Sequence, residues 1–141
     1  MAEDLSRFVA AQAGAYAAAL AELKAGRKTS HWMWFVFPQI AGLGRSETAR
    51  FFAIAGRGEA RAYLAHPALG TRLIEATSAV LGHRGTAAEA IFGPIDAMKF
   101  RSSMTLFEAV ADDPAPFATA LDAFFGGDRD TATLDLLDDP A

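Results

Sequence analysis

The chain has 141 residues, of which 52% are hydrophobic and 21% are charged, and its formal net charge is −4. This length and balance are typical of one globular domain with a full core, which excludes a largely disordered chain. The chain has no cysteine, which excludes disulfides, thiol catalysis and thiolate metal sites.

The charges are unevenly distributed along the chain. Residues 26–107 carry ten Lys/Arg against five Asp/Glu, whereas residues 108–141 carry one Arg against nine Asp/Glu. The mildly positive middle suits an anionic small molecule but lacks the dense basic stripe of a nucleic-acid-binding protein.

Met1–Leu5 is acidic where a signal peptide is basic, and the longest strongly apolar run, Trp32–Pro38, is far too short to span a bilayer. We therefore expect a cytoplasmic protein with no nucleic-acid or membrane partner.

Helical periodicity dominates the chain, and alternating strand patterns are nearly absent. The first half predicts a helix over about Asp4–Lys24 that Gly14 splits, and helices over Glu47–Ala55, Glu59–Ala65 and Ala68–Leu81. Between them, a short aromatic element runs from a Ser30 cap to Pro38; its periodicity also allows a buried strand, but the lack of partner strands favours a helix. In the second half, a capping box at Thr86–Glu89 precedes a helix to Phe92, and Pro94 begins a helix to about Ala111. Asp113 caps a predicted helix over Ala115–Phe125, and Asp130 caps a last helix that ends near Leu137. These signals predict an all-α fold of about eight short helices around an aromatic core, in a single domain over residues 1–141.

The segment Gly26–Gly44, GRKTSHWMWFVFPQIAGLG, contains both tryptophans of the chain. Aromatic rings beside cationic and hydroxyl groups suit a ligand with a planar ring and an anionic group, but they are also typical of a core helix with a solvated start. Trp32 and Trp34 are two residues apart and cannot share one helix face, so one packs inward while the other lines a cleft or an interface. His31 precedes them and is the best general acid or base if the protein catalyses a reaction.

The predicted helix over Ile95–Val110 supplies a second group of candidate residues. On a helical wheel, Lys99, Ser102 and Ser103 fall beside the apolar arcs and not on the solvated arc. A lysine that faces a packed side needs a partner, because an isolated buried ammonium is too costly. That partner is Asp96 one turn earlier, an acidic residue of another helix, or the anion of a ligand.

The sequence also resembles a known family. The resemblance rests on GRKTSHWMWFVFPQIAGLGRS, AYLAHPALGTRL, IFGPIDAMKFRSSMTLF and LDAFFGGDRDTATL, and it covers residues from Leu5 to about Leu137. The chain is similar to the bacterial family catalogued as domain of unknown function 1810, which implies a compact, mainly α-helical single domain and no established activity. Some members are labelled calpastatin-like. Calpastatin inhibitory segments are disordered, whereas this chain has a dense core, so it does not support that label.

These observations favour a binding site for an anionic small molecule with a planar ring, such as a nucleotide-like metabolite, and leave open whether it is an enzyme. The candidate ligand-binding residues are Arg27, Lys28, Ser30, Trp32, Trp34, Gln39, Ser102 and Ser103, and the candidate catalytic residues are His31 and Lys99. No metal site or cofactor is predicted, because the three histidines lack ligand spacing. The alternative is a non-catalytic protein-interaction or regulatory module, in which the outward tryptophan anchors a partner. Self-association into a homo-oligomer also stays open.

Overall fold

Nine helices form within residues 4–138, the part of the chain that this computed structural model describes. They are α1 (Ser6–Ala25), α2 (Met33–Val36), α3 (Glu47–Phe51), α4 (Arg57–Ala65), α5 (Leu69–Leu81), α6 (Ala88–Phe92), α7 (Pro94–Val110), α8 (Ala115–Phe125) and α9 (Thr131–Asp138). Within that range no residue belongs to a strand, and Ile40 and Ile54 form an isolated parallel bridge. The predicted all-α fold is confirmed. No helix in residues 4–138 is both long and apolar enough to cross a bilayer.

Local signals in the sequence define several helix ends. The first turn of α7 contains Pro94, whose missing N–H costs nothing there. Gly26 ends α1 and Gly126 ends α8 with φ of 80° and 60°, in the left-handed region that favours glycine. Ser46 caps α3, because its side chain accepts a hydrogen bond of 3.1 Å from the Ala49 N–H. These four predicted boundaries are confirmed.

Four local predictions are wrong. The helix predicted over Glu47–Ala55 ends at Phe51, and Ile54 instead forms a backbone bridge with Ile40. Gly14 does not split α1, because an exposed glycine costs a long helix only about 1 kcal/mol. The capping box at Thr86 does not form, since α6 begins at Ala88 and has no side-chain cap. The helix predicted from Ser30 shrinks to Met33–Val36, because the N–H and hydroxyl of Ser30 both donate to Glu22.

The core is centred on α7, which packs against α4, α6, α8 and α9. The ring of Phe100 lies at its centre, with centroids of Phe37 and Phe92 each 4.9 Å away. The ring pair of Phe8 and Tyr63, with centroids 5.1 Å apart, extends the aromatic packing to α1 and α4. The predicted aromatic core is confirmed.

Two backbone hydrogen bonds hold the segment after α2 in place. The Ile54 N–H donates to the Gln39 carbonyl at 2.9 Å, and the Ala41 N–H donates to the Ile54 carbonyl at 2.8 Å. These bonds fix the residues around Gln39 although they belong to no helix. The same segment forms one wall of the groove described below.

Candidate functional site

A groove of about 370 Å³ opens between the first half of α7, the segment 39–44 and the start of α9. Both polar and apolar side chains line it, among them Gln39, Leu43, Ile95, Met98, Lys99, Ser102 and Asp130. Its volume falls in the range of small-molecule sites. Three of the predicted site residues, namely Gln39, Lys99 and Ser102, therefore share one concave surface.

Asp96 joins Lys99 of the groove to Lys28 of the Gly26–Gly44 segment. Its carboxylate lies 2.9 Å from the Lys28 ammonium and 3.6 Å from the Lys99 ammonium. Lys28 also donates to the Ser30 carbonyl at 2.6 Å, and only 8% of its side chain is exposed, against 27% for Lys99. Among the residues that the structure describes, Lys28 is thus held by two oxygen partners and Lys99 by a single, more distant one. The three side chains together carry one net positive charge.

The Lys99 ammonium also lies over an aromatic face. It is 5.3 Å from the ring centroid of Trp34, which is half-buried and packs against the core. A cation–π contact of this kind contributes about 0.5–1 kcal/mol at a partly exposed site. Trp34 thereby supports the lysine at the groove, while the lysine covers part of that ring.

Two large apolar side chains beside Lys99 are exposed to solvent. Ile95 is 71% exposed and Met98 is 65% exposed, and they are neighbours on the surface of α7. Both line the groove, together with the half-buried Leu43. The ammonium of Lys99 therefore has an apolar surface next to it.

The other end of the groove carries a carboxylate. Asp130 caps α9 by accepting from the Thr133 N–H at 3.2 Å, and its carboxylate also lies 3.1 Å from the Ser102 hydroxyl. The guanidinium of Arg101 lies 3.5 Å from Asp130 and 3.2 Å from the exposed Asp128. The positive charge of Arg101 therefore offsets the negative charges of Asp130 and Asp128 at this end. The cationic end of the groove is at Lys99.

Glu22 of α1 fixes the loop that precedes α2. Its carboxylate accepts from the N–H of Thr29 at 2.7 Å, from the N–H and hydroxyl of Ser30, and from the indole N–H of Trp32 at 2.9 Å. Partial burial acts to raise the pKa of Glu22, but these hydrogen bonds outweigh it and hold that pKa at about 2. The loop that carries Lys28 is thus anchored by a carboxylate that stays ionised.

The chain is similar to a known family and to a solved structure. The model described as Protein of unknown function (DUF1810) matches residues 2–137. The chain belongs to this family. A solved structure, that of the conserved hypothetical protein Rv1873 from Mycobacterium tuberculosis, is 49% identical and has a TM-score of 0.93, with 95% of this chain and 96% of that chain covered. No curated protein matches the chain. The resemblance to the DUF1810 family is confirmed, and the comparisons name no ligand or reaction.

The remaining predicted site residues of this DUF1810 protein lie outside the groove. Arg27 and His31 are exposed and are not among the side chains that line it. Ser30 is exposed, but its hydroxyl is taken by Glu22. Lys28 pairs with Asp96 and is not among the residues that line the groove. The sequence thus predicts a larger set of contact residues than the groove brings together.

Two residues that the sequence predicts as ligand contacts are instead buried in the core. Trp32 is only 1% exposed, because its indole N–H binds Glu22 and its ring packs against Phe37. Ser103 is fully buried, and its hydroxyl has no hydrogen-bond partner among the described residues. Neither side chain offers a surface to a ligand in the groove.

The sequence does not predict the part that three residues play in the groove, namely Asp130, Ile95 and Met98. It treats Asp130 as a helix cap alone, and no local pattern links Asp130 to Ser102. It places Ile95 and Met98 on an apolar arc of the helix, and only their exposure in the structure reveals that no described residue covers them. One sequence feature that could have indicated this exposure is the position of Ile95 and Met98 in the first turns of α7, directly after the Gly93-Pro94 break.

A second groove of about 360 Å³ lies where α4 and α5 meet the turn between α7 and α8. Its floor contains Val110 and Phe117, and its charged residues are Arg61, Asp112 and Asp113. One cation against two carboxylates gives this groove a net negative charge, which does not favour an anion. None of the predicted site residues lines this second groove.

Proposed function

We propose that the groove binds an anionic small molecule with a planar ring, of which a nucleotide-like metabolite is an example. The observation that carries this proposal is that Lys99 faces the groove and shares Asp96 with a second lysine. An anion that enters the groove meets an ammonium whose charge is only partly balanced. Lys99 pairs with the anionic group of the ligand.

The apolar side chains of the groove suit the ring. Ile95, Met98 and Leu43 present an apolar surface beside the ammonium, and burying about 100 Å² of such surface contributes about 2.5 kcal/mol. The thioether of Met98 makes favourable contacts with aromatic rings. The Gln39 amide offers both a donor and an acceptor to polar atoms at the edge of the ring.

We propose binding at the groove and no chemical step. His31, the best candidate for a general acid or base, is not among the side chains that line the groove. A general base must lie within hydrogen-bond reach of the proton that it abstracts. Catalysis in the groove therefore has no assigned base.

A thermal-shift screen of the purified protein against nucleotides, dinucleotides and phosphorylated metabolites tests the proposal. A ligand at 100 times its dissociation constant stabilises the protein by about 2.7 kcal/mol, which raises the melting temperature visibly. The shift should be lost in Lys99→Met and kept in Lys24→Met, which removes an exposed lysine of α1. If no anion produces a shift, or if Lys99→Met keeps it, the proposal is wrong.

The exposure of Ile95 and Met98 favours a second candidate function, a non-catalytic protein-interaction module. Adjacent exposed apolar side chains mark contact surfaces more often than isolated ones do. If the partner is a second copy of the chain, sedimentation velocity should show association that rises with concentration. The double substitution Ile95→Ser with Met98→Ser should then abolish it, whereas Phe51→Ser, which removes an exposed ring of α3, should not. A monomer at all concentrations would exclude this partner.

A further inference from the structure

We infer that Lys28 and Asp96 set the anion affinity of the groove without touching the ligand. Lys28 occupies Asp96 and so leaves the charge of Lys99 available to an anion. This inference rests on the proposed function, because it concerns the strength of binding at the same groove. Lys99 contacts the ligand, whereas Lys28 and Asp96 change the affinity for that ligand through their charges.

Lys28 is held away from the groove by contacts on several sides. Its ammonium binds Asp96 at 2.9 Å and the Ser30 carbonyl at 2.6 Å, and it lies 5.1 Å from the ring centroid of Trp32. Its backbone N–H donates to the Ile91 carbonyl at 2.8 Å. A side chain bound in this way and 8% exposed stays with Asp96 when a ligand arrives.

The loop that carries these contacts is itself anchored. Glu22 binds the N–H and hydroxyl of Ser30 and the indole N–H of Trp32. The Ser30 carbonyl and the Trp32 ring are therefore fixed where the Lys28 ammonium meets them. The position of Lys28 is thus built into the fold.

The charge of the cluster follows from its three members. With Lys28, Asp96 and Lys99 all present the sum is +1, and Lys28→Met lowers it to zero because Asp96 then faces Lys99 alone. Asp96→Asn raises the sum to +2, and the double variant returns it to +1. The neighbouring charges of Glu22, and of Asp130 with Arg101, are the same in every variant, so they do not alter this order.

The size of the effect follows from Coulomb's law. A unit charge roughly 8 Å from the bound anion, at an effective dielectric constant of about 40, changes the dissociation constant about five-fold. Lys28→Met should therefore weaken anion binding about five-fold, and Asp96→Asn should tighten it about five-fold. The double variant should bind as the wild type does, within about two-fold.

The fluorescent dye 8-anilinonaphthalene-1-sulfonate is a suitable probe, because it combines planar rings with one negative charge. Its dissociation constant is measured by fluorescence titration of the folded wild type, of the two single variants and of the double variant. Lys24→Met serves as the matched control, and circular dichroism confirms that each variant is folded. The expected order of affinity is Asp96→Asn, then the wild type and the double variant together, then Lys28→Met.

The variants separate this inference from the proposed function. If Lys99→Met weakens dye binding but Lys28→Met and Asp96→Asn leave it unchanged, the inference is wrong and the groove proposal stands. If Lys99→Met leaves dye binding unchanged, both are wrong. A double variant that binds as weakly as Lys28→Met would show a structural role for Lys28 and would also overturn the inference. If Lys28→Met does not fold, the tightening expected of Asp96→Asn decides the question alone.

Discussion

Two neighbouring serines of α7 have opposite surroundings. The Ser102 hydroxyl lies 3.1 Å from the Asp130 carboxylate, whereas the fully buried Ser103 hydroxyl has no partner among the described residues. A buried hydroxyl without a hydrogen bond costs about 1–3 kcal/mol, and alanine is the better helix former by about 0.5 kcal/mol. Ser103→Ala should therefore raise the free energy of unfolding by about 1 kcal/mol, as measured by urea denaturation.

Ser102→Ala is the matched control for this prediction, since it makes the same change one residue away. It removes the contact with Asp130 and should lower the free energy of unfolding by about 1 kcal/mol. Equal losses in both variants would mean that the Ser103 hydroxyl is hydrogen-bonded after all.

Glu22 makes a pH-dependent contribution to stability. Its folded-state pKa of about 2 lies below the ordinary value of 4.5, so the ionised carboxylate stabilises the fold fully above about pH 4.5. That contribution is lost as the pH falls from 4.5 towards 2 and the carboxylate takes up a proton. We predict that the stability difference between wild type and Glu22→Gln, measured by urea unfolding, is constant above about pH 5 and shrinks below it.

The donors to Glu22 offer an internal check on the cause. Ser30→Ala removes the hydroxyl that donates to the carboxylate, so it raises the pKa of Glu22 and moves the pH window upward. A stability difference that does not change between pH 7 and pH 2 would contradict the assignment of these hydrogen bonds.

Two glycines in helices show how the same substitution acts differently in two elements. A Cβ on Gly70, in the first turn of α5, would lie 2.0 Å from the Leu64 carbonyl oxygen of α4, while a Cβ on Gly14 of α1 would have no atom within 4 Å. Gly70→Ala must push the two helices apart and should cost at least about 2 kcal/mol. Gly14→Ala should stabilise the protein by about 1 kcal/mol, because alanine loses less entropy in a helix. Thermal unfolding should therefore shift in opposite directions, and a loss in both variants would contradict this packing.

The helices of this protein could be predicted where their signals are local. Pro94 and Gly126 mark helix ends by their own backbone preferences, and Asp96 could be named as a partner for Lys99 because it lies one turn away on the same helix. The contact between Lys28 and Asp96 could not be predicted, because it joins two distant parts of the chain. The sequence predicts that only one of Trp32 and Trp34 packs inward, but it could not show which one, since a helix of four residues is too short to show which face is buried.

At the scale of the whole molecule, Phe100 joins helices that are far apart in sequence. Its ring is fully buried and contacts Phe37 after α2, Phe92 at the end of α6 and Phe125 at the end of α8. Phe100→Ala should lower the free energy of unfolding by about 3–5 kcal/mol, because the cavity lies where these elements meet. Phe51→Ala, which removes a ring that is 60% exposed, should cost less than about 1 kcal/mol.

The same variant tests whether the core unfolds as one unit. Tryptophan fluorescence reports on Trp32 and Trp34 near α2, whereas far-UV circular dichroism reports on all the helices. A chain of this size that packs around one shared ring should unfold in a single transition, so both probes should give the same midpoint in wild type and in Phe100→Ala. If the fluorescence midpoint falls in Phe100→Ala while the dichroism midpoint stays, the contacts of Phe100 do not couple α2 to the rest of the core.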